Sequence, residues 1–320
     1  MSEFTAPKPL SRRRFVGLSA AGVAAGWLPG VAGGSAKAAE GVALTRLPGE
    51  PGVVMRKALK AGMIGAGDTV EEKLTIAREA GFAGVEFEGP LGDDLLAEVK
   101  AASEATGMAI PGLVCGAVGR KLGSADDAER RQGIGEYTTA LHQAAELGGT
   151  SVLMYPGAVN PQNRYDVVFD TLIKSTEELL PVAEQTGVGI ALENVWNNLF
   201  LSPLDAVRFC EHFDHEKVGW YFDIGNIVRY GWPEQWIRIL GKRVLKLDIK
   251  GYSRELENEN GPWAGFRVSL PESTIDWNQV VAALNEVGYA GEWVSAEVGG
   301  GDLERLKVIS AEMDEVLQLV

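Results

Sequence analysis

The sequence predicts a (β/α)8 barrel, the TIM-barrel class of α/β fold, as a single domain. Two observations carry the prediction. Eight short apolar runs alternate with helical stretches over residues 57–320. The last four runs each close on an acid, namely Glu193, Asp223, Asp248 and Glu297, and strand C-termini are where such a barrel gathers its functional side chains. A third observation counts against a doubly wound open sheet: Gly62, Gly65 and Gly67 lack the spacing of a dinucleotide-binding turn after a first strand.

Taken in order, 58–64 reads as the first strand. Asp68 is placed as the N-cap of the next helix, Glu71 completes a capping box, and Gly81 closes the helix. The second strand, 84–88, leads to a helix over 92–107, and the third, 110–115, to a long helical region over 125–147. The fourth strand, 151–155, precedes a helix over 165–186. Strands five and six end at Glu193 and Asp223, with Gly225 turning the backbone after the second carboxylate and helices expected over 202–211 and 233–241. The seventh ends at Asp248 and is followed by an insertion, 251–275, rich in Pro, Gly, Asn and charge, before a helix over 276–287. The eighth ends at Glu297. In the last helix Leu303, Leu306, Ile309, Met313 and Leu317 fall on one face.

Residues 1–38 read as a removable export signal. Ser11-Arg12-Arg13-Arg14-Phe15-Val16 resembles a twin-arginine motif, a weakly apolar Ala/Gly stretch follows, and Ala36-Lys37-Ala38 fits small-residue cleavage. That stretch is too glycine-rich for a membrane span, so the expectation is a periplasmic or extracellular protein with no stable membrane insertion after signal removal. Residues 39–56 are read as a linker or lead-in. The chain carries a net charge of −14, and cleavage after 38 leaves −18. This argues against a nucleic-acid partner, because phosphate binding needs a basic surface. Cys115 and Cys210 are too few for a disulfide framework, and none of His142, His212 and His215 falls at a strand end, which argues against a histidine-rich zinc site.

Four carboxylates converging on one barrel face would repel and be driven to protonate unless a cation joins them. The metal ligands expected are therefore Glu193, Asp223, Asp248 and Glu297, and all-oxygen ligation favours Mn2+ or Mg2+, with Co2+ or Zn2+ as alternatives. Around them Lys250 is read either as a contact to a substrate oxygen or as an ion pair to a ligand carboxylate. Glu86 and Glu88 are read either as partners of sugar hydroxyls or as solvated strand-end charge. Tyr155, Trp196 and Trp232 are read as stacking on a sugar ring or packing between loops, with Trp196 ranked first because it follows Glu193-Asn194. Gly299-Gly300-Gly301 is read as a tight turn, with a phosphate cradle as the alternative.

Glu193-Asn194, Phe222-Asp223-Ile224-Gly225-Asn226, the Lys246–Lys250 run and Glu297 before Gly299-Gly300 resemble the xylose isomerase-like barrels, the sugar phosphate isomerase/epimerase superfamily. The resemblance implies a metal held by Glu, Asp, His and Glu from the last four strands; here Asp248 stands at the histidine position and Gly251 replaces a common aspartate. It implies acid/base roles for Glu193 and Glu297, and substrate contacts at Asn226, where related epimerases often have histidine, and at Arg254. The expected activity is a metal-dependent sugar or keto-sugar isomerase or epimerase working through an enediolate. A lyase acting by β-elimination on a 3-keto-glycoside and a non-catalytic sugar-binding protein are the alternatives. A small sugar is the expected partner, with homo-oligomerisation left open.

Overall fold

The computed structural model of the chain describes Thr45–Arg46 and residues 52–319. The proposed export signal lies outside these residues. Eight parallel strands pair in chain order: β1 (Val54–Lys60), β2 (Gly84–Glu88), β3 (Gly112–Val114), β4 (Ser151–Met154), β5 (Gly189–Glu193), β6 (Val218–Asp223), β7 (Val244–Ile249) and β8 (Trp293–Ala296). β8 pairs in turn with β1, from Arg56–Trp293 to Leu59–Ala296, so the sheet closes into a (β/α)8 barrel. Thr45–Arg46 adds a two-residue antiparallel strand on the outer start of β1.

The strands read as continuous apolar runs because both faces are covered. Every residue of β5 and β6 is buried, one side against the lumen and the other against the helices. The helices are α1 (Val70–Glu79), α2 (Asp93–Thr106), α3 (Gly116–Leu122), α4 (Asp127–Glu146), α5 (Tyr165–Thr186), α6 (Pro203–Phe213), α7 (Ile224–Val228), α8 (Pro233–Leu240), α9 (Arg254–Asn260), α10 (Trp277–Val287) and α11 (Leu303–Leu317). Local chemistry sets several of their starts. Pro203 and Pro233 open α6 and α8, Asp276 caps α10 through Gln279 N, and Asp302 caps α11 through Arg305 N. Among the described residues no helix is long and apolar enough to cross a membrane.

Three expectations shift. The first strand is Val54–Lys60 rather than 58–64, so it reaches into the stretch read as a lead-in, and Ala61–Met63 turns over the barrel rim. Met63 and Ile64 are buried there as thoroughly as strand residues, so hydrophobicity does not separate rim from strand. The capping box of α1 lies one residue later than Asp68–Glu71. The Thr69 hydroxyl accepts from Glu72 N at 3.2 Å, and the Glu72 carboxylate accepts from Thr69 N at 3.1 Å. The insertion is ordered by α9 and a 3-10 turn, Pro262–Phe266, which form one wall above the C-terminal end of the barrel.

Candidate active site and metal centre

The strand register brings the acids together. Asp223 on β6 stands opposite Asp248 on β7, Asp248 stands opposite Ser295 on β8, and Glu193 on β5 stands opposite Tyr221, one inward-facing position below Asp223. One carboxylate oxygen from each of Glu193, Asp223, Asp248 and Glu297 lies within 4.8 Å of all the others. Oxygen ligands bind hard divalent ions at about 2.1–2.5 Å, so a ligand pair spans at most about 4.2–5.0 Å across the ion, and the separations in this set are of that order. Glu193, Asp223 and Asp248 are buried, while Glu297 is 34% exposed and forms the open side.

Two lysines thread the cluster. Lys250 Nζ lies 2.8 Å from Asp223 and 2.5 Å from Glu297; Lys60 Nζ lies 2.8 Å from Asp248 Oδ1 and 2.8 Å from Glu86. Glu86 is not at the solvent rim. It is buried one layer down in the lumen, accepts from Tyr221 Oη at 2.6 Å and pairs with the buried Lys246 at 3.2 Å. Asp223 spends Oδ1 on Asn226 N at 2.9 Å, capping α7, while Asn194 brackets the same residue with hydrogen bonds to its backbone N and O. The Asn226 side chain donates to Glu193 at 3.1 Å, so this candidate contact faces the cluster.

The remaining candidates divide. Trp196 donates to Asn226 O at 2.9 Å and packs against Trp263 and Phe266, with ring centroids 4.9 and 5.0 Å away. Tyr155 packs against Gly116, and burial, then Glu193 and Glu297, push its phenol up, as expected at the edge of the carboxylates. Arg254 instead donates to Val228 O and Gly231 O and lies over the Trp232 ring, so both residues tie α9 to the loop before α8. The Gly299–Gly301 turn packs on the opposite rim: Gly301 exchanges backbone hydrogen bonds with Gly65 and Met63, and a Cβ on Gly300 would collide with Met63 O. Close backbone approach accounts for glycine there. A cleft of about 540 Å3 opens from the cluster, from Asn226, Lys250 and Glu297 out to Trp263, Arg267 and Arg305. Sequence reasoning missed Lys60, Tyr221, Trp263 and Phe266. The available signal was a lysine ending an otherwise buried strand.

A model of the xylose isomerase-like TIM barrel family matches residues 74–318. The chain belongs to that family. Within it, a 25% identical protein of Methanocaldococcus jannaschii, of no described activity, matches over 157 residues, 48% of this chain and about half, 52%, of that protein. The L-ribulose-5-phosphate 3-epimerase UlaE of Salmonella heidelberg is 24% identical over 242 residues, 72% of this chain and 82% of that enzyme. The apo structure of 3-keto-D-glucoside 4-epimerase, YcjR, from E. coli superposes with a TM-score of 0.69 at 20% identity, covering 82% of this chain and 99% of that one. In this xylose isomerase-like barrel the electrostatics of the cluster follow from burying four carboxylates together. Burial first, then Glu297 and Asp223, push the Glu193 carboxyl well above its usual range. Burial also pushes Asp248 and Asp223 up, against the pull of Lys60 and Lys250 respectively. Burial opposes ionisation of Glu297 too, but Lys250 and Lys60 bring it below the usual range. Among the described residues Glu86, Glu193, Asp223, Asp248 and Glu297 meet the ammonium groups of Lys60, Lys246 and Lys250, so with every group ionised this set carries an excess of two negative charges. Asp248 Oδ2 is buried with neither a hydrogen-bond nor an ion-pair partner among the described residues. That free oxygen, the charge excess and the all-oxygen donor set fit a divalent cation.

Proposed function

We propose that this chain is a divalent-metal-dependent isomerase or epimerase of a sugar or keto-sugar, moving a proton at the carbon beside a carbonyl. The observation that carries this reading is the convergence of four strand-end carboxylates within 4.8 Å at the mouth of a cleft. Glu193, Asp223, Asp248 and Glu297 would hold the ion, Mn2+ or Mg2+ on the hardness of the donors. When bound, such an ion polarises the substrate carbonyl and acidifies the neighbouring C–H.

The protein's own groups do the rest. Glu193 and Glu297 come from different strands and have different surroundings, one buried and hydrogen-bonded to Asn226, the other open to the cleft. One takes the proton from carbon and the other returns it. Return to the same carbon from the opposite face gives an epimer, and return to the neighbouring carbon gives an aldose–ketose shift. Lys250, between Asp223 and Glu297, lines the cleft and would offer an ammonium to the charge that gathers on the enediolate oxygen. The family relatives named above include sugar epimerases, which supports the class of reaction and leaves the sugar open.

The test is proton exchange in deuterated water over a panel of keto-sugars, with Mn2+ or Mg2+ supplied and then removed by EDTA. We expect metal-dependent deuterium uptake at one carbon, lost in Glu193→Gln and in Glu297→Gln at unchanged circular dichroism. Wild-type exchange in either variant would remove that glutamate from the acid/base role. Failure to exchange with every sugar and metal would leave only a sugar-binding protein. Release of a glycosidic substituent in the same assay would turn the reading to β-elimination.

A further inference from the structure

The cleft is longer than the chemistry needs. At about 30 Å3 per water-sized unit, 540 Å3 holds roughly eighteen such units, against about a dozen non-hydrogen atoms in one hexose. The excess lies on the insertion side. The near end is Asn226, Lys250 and Glu297; the rest is lined by the rings of Phe266 and Trp263 and by Arg267 and Arg305. Phe266 lies with its ring centroid 5.5 Å from Lys250 Nζ, so the aromatic wall begins where the carboxylates end.

Two features of the far end point to an occupant. Trp263 is 70% exposed although it is held from behind by Trp196, 4.9 Å away, and by Phe266, 6.2 Å away. A fixed indole with an open face is a stacking surface for a ring. Arg267 lines the same space, and its guanidinium has no hydrogen-bond or ion-pair partner among the described residues, unlike Arg305, which donates to Gly299 O and pairs with Glu312. It presents unspent donors beside the stacking face.

From this geometry we infer that the substrate is a glycoside rather than a free monosaccharide: the reacting sugar lies at the carboxylates, and a second ring with acceptor oxygens, joined through the glycosidic oxygen, stacks on Trp263 and accepts from Arg267. The inference rests on the proposed sugar chemistry for its near end only. A second sugar ring offers both the stacking face and the acceptor oxygens, an aryl ring the stacking face alone, and the substrate panel separates them.

Two measurements test it. The first is deuterium exchange with the 3-keto forms of methyl glucoside, phenyl glucoside and cellobiose, comparing kcat/KM in the wild type, Trp263→Ala and Arg267→Gln. The second is calorimetric binding of the three unoxidised glycosides, which needs no turnover. We expect one or both two-ring compounds to exceed the methyl glycoside at least tenfold in the wild type, this ratio to fall at least fivefold in Trp263→Ala, and the cellobiose ratio to fall at least fivefold in Arg267→Gln. A ratio below twofold in the wild type, or a ratio unmoved in both variants, overturns the second-ring site. Exchange with one-ring substrates alone would sink the site and keep the chemistry. Absence of exchange with a persisting two-ring binding preference would sink the chemistry and keep the site. Arg267→Gln changes an exposed side chain, so the test survives a folding defect in Trp263→Ala.

Discussion

Lys60 is the residue on which the charge balance at Asp248 turns. Where a histidine would be a neutral ligand, Asp248 brings a charge, and Lys60 is the cation that meets it, 2.8 Å away at the end of β1. The same ammonium pairs with Glu86, so removing it leaves two buried carboxylates short of a partner. Lys60→Met should therefore cost about 3–5 kcal/mol, the usual penalty for breaking a buried pair, read as a loss in urea unfolding. Asp248→His alone leaves Lys60 beside an imidazole, whereas Lys60→Met combined with Asp248→His restores a neutral pair. The double variant should recover much of the lost stability and shift metal preference toward Zn2+ or Co2+. If the two changes add independently, the coupling between these residues is absent. Glu86 gives a second residue-level prediction. Burial raises its pKa, but Lys60 and Lys246 outweigh that and bring it from the ordinary 4.5 down to about 2. A carboxyl whose folded pKa is depressed contributes stability above the unfolded value and loses it as pH falls through the folded one. That window runs from about 4.5 to about 2 and is worth at most about 3 kcal/mol. Acid titration of the metal-free protein should show a loss of stability in that interval that is smaller in Glu86→Gln. The four clustered acids were legible in the sequence because each ends an apolar run. Lys60 was not, because its strand was read four residues too late.

At the level of elements, the turn from β6 into α7 does two jobs. Asp223 caps α7 with one oxygen and pairs with Lys250 through the other, and Gly225 lets the Lys250 chain cross the first turn of α7. A Cβ on Gly225 would run into Lys250 Cγ and lie 2.7 Å from its carbonyl oxygen. Gly225→Ala should therefore displace Lys250 from Asp223 and Glu297 while keeping the barrel. The expected result is a fall of tenfold or more in exchange rate with a Tm loss of only a few degrees; an unchanged rate would show that Lys250 has no part in the reaction. The sequence placed a glycine turn here correctly but gave no sign of α7, since five residues are too few to show a helical period. The insertion was legible as an interruption only. Its composition of Pro, Gly and Asn says loop, and nothing in that composition says that Phe266 would be turned back toward Lys250 or Trp263 onto Trp196.

For the whole molecule, closure of the sheet is what converts scattered strand ends into one site, and it explains why the fold was easier to read than the site. Alternating apolar runs and helices are repeated eight times, so an error in one boundary leaves the architecture standing, as the misplaced first strand illustrates. A site depends on individual residues crossing the lumen: Glu86 meets Lys246 from 160 residues away and Tyr221 from 135, and such pairings leave no local pattern. The lumen also sets the last prediction. With every group ionised, Glu86 and the four clustered acids would outnumber Lys60, Lys246 and Lys250 by two charges, which favours a ligand of charge +2, and such a ligand binding only the folded state raises stability by mass action. At a hundredfold excess over Kd the gain is about 2.7 kcal/mol, which in a domain of this size raises Tm by roughly 5–10 °C. Mn2+ or Mg2+ added after EDTA should produce that rise at pH 7.5, and less of it at pH 5, where protons compete for the buried oxygens. Glu193→Gln and Asp223→Asn should each shrink it, because each removes one ligand charge. A Tm unmoved by any divalent ion in the wild type would mean that protons and the three lysines alone balance these acids.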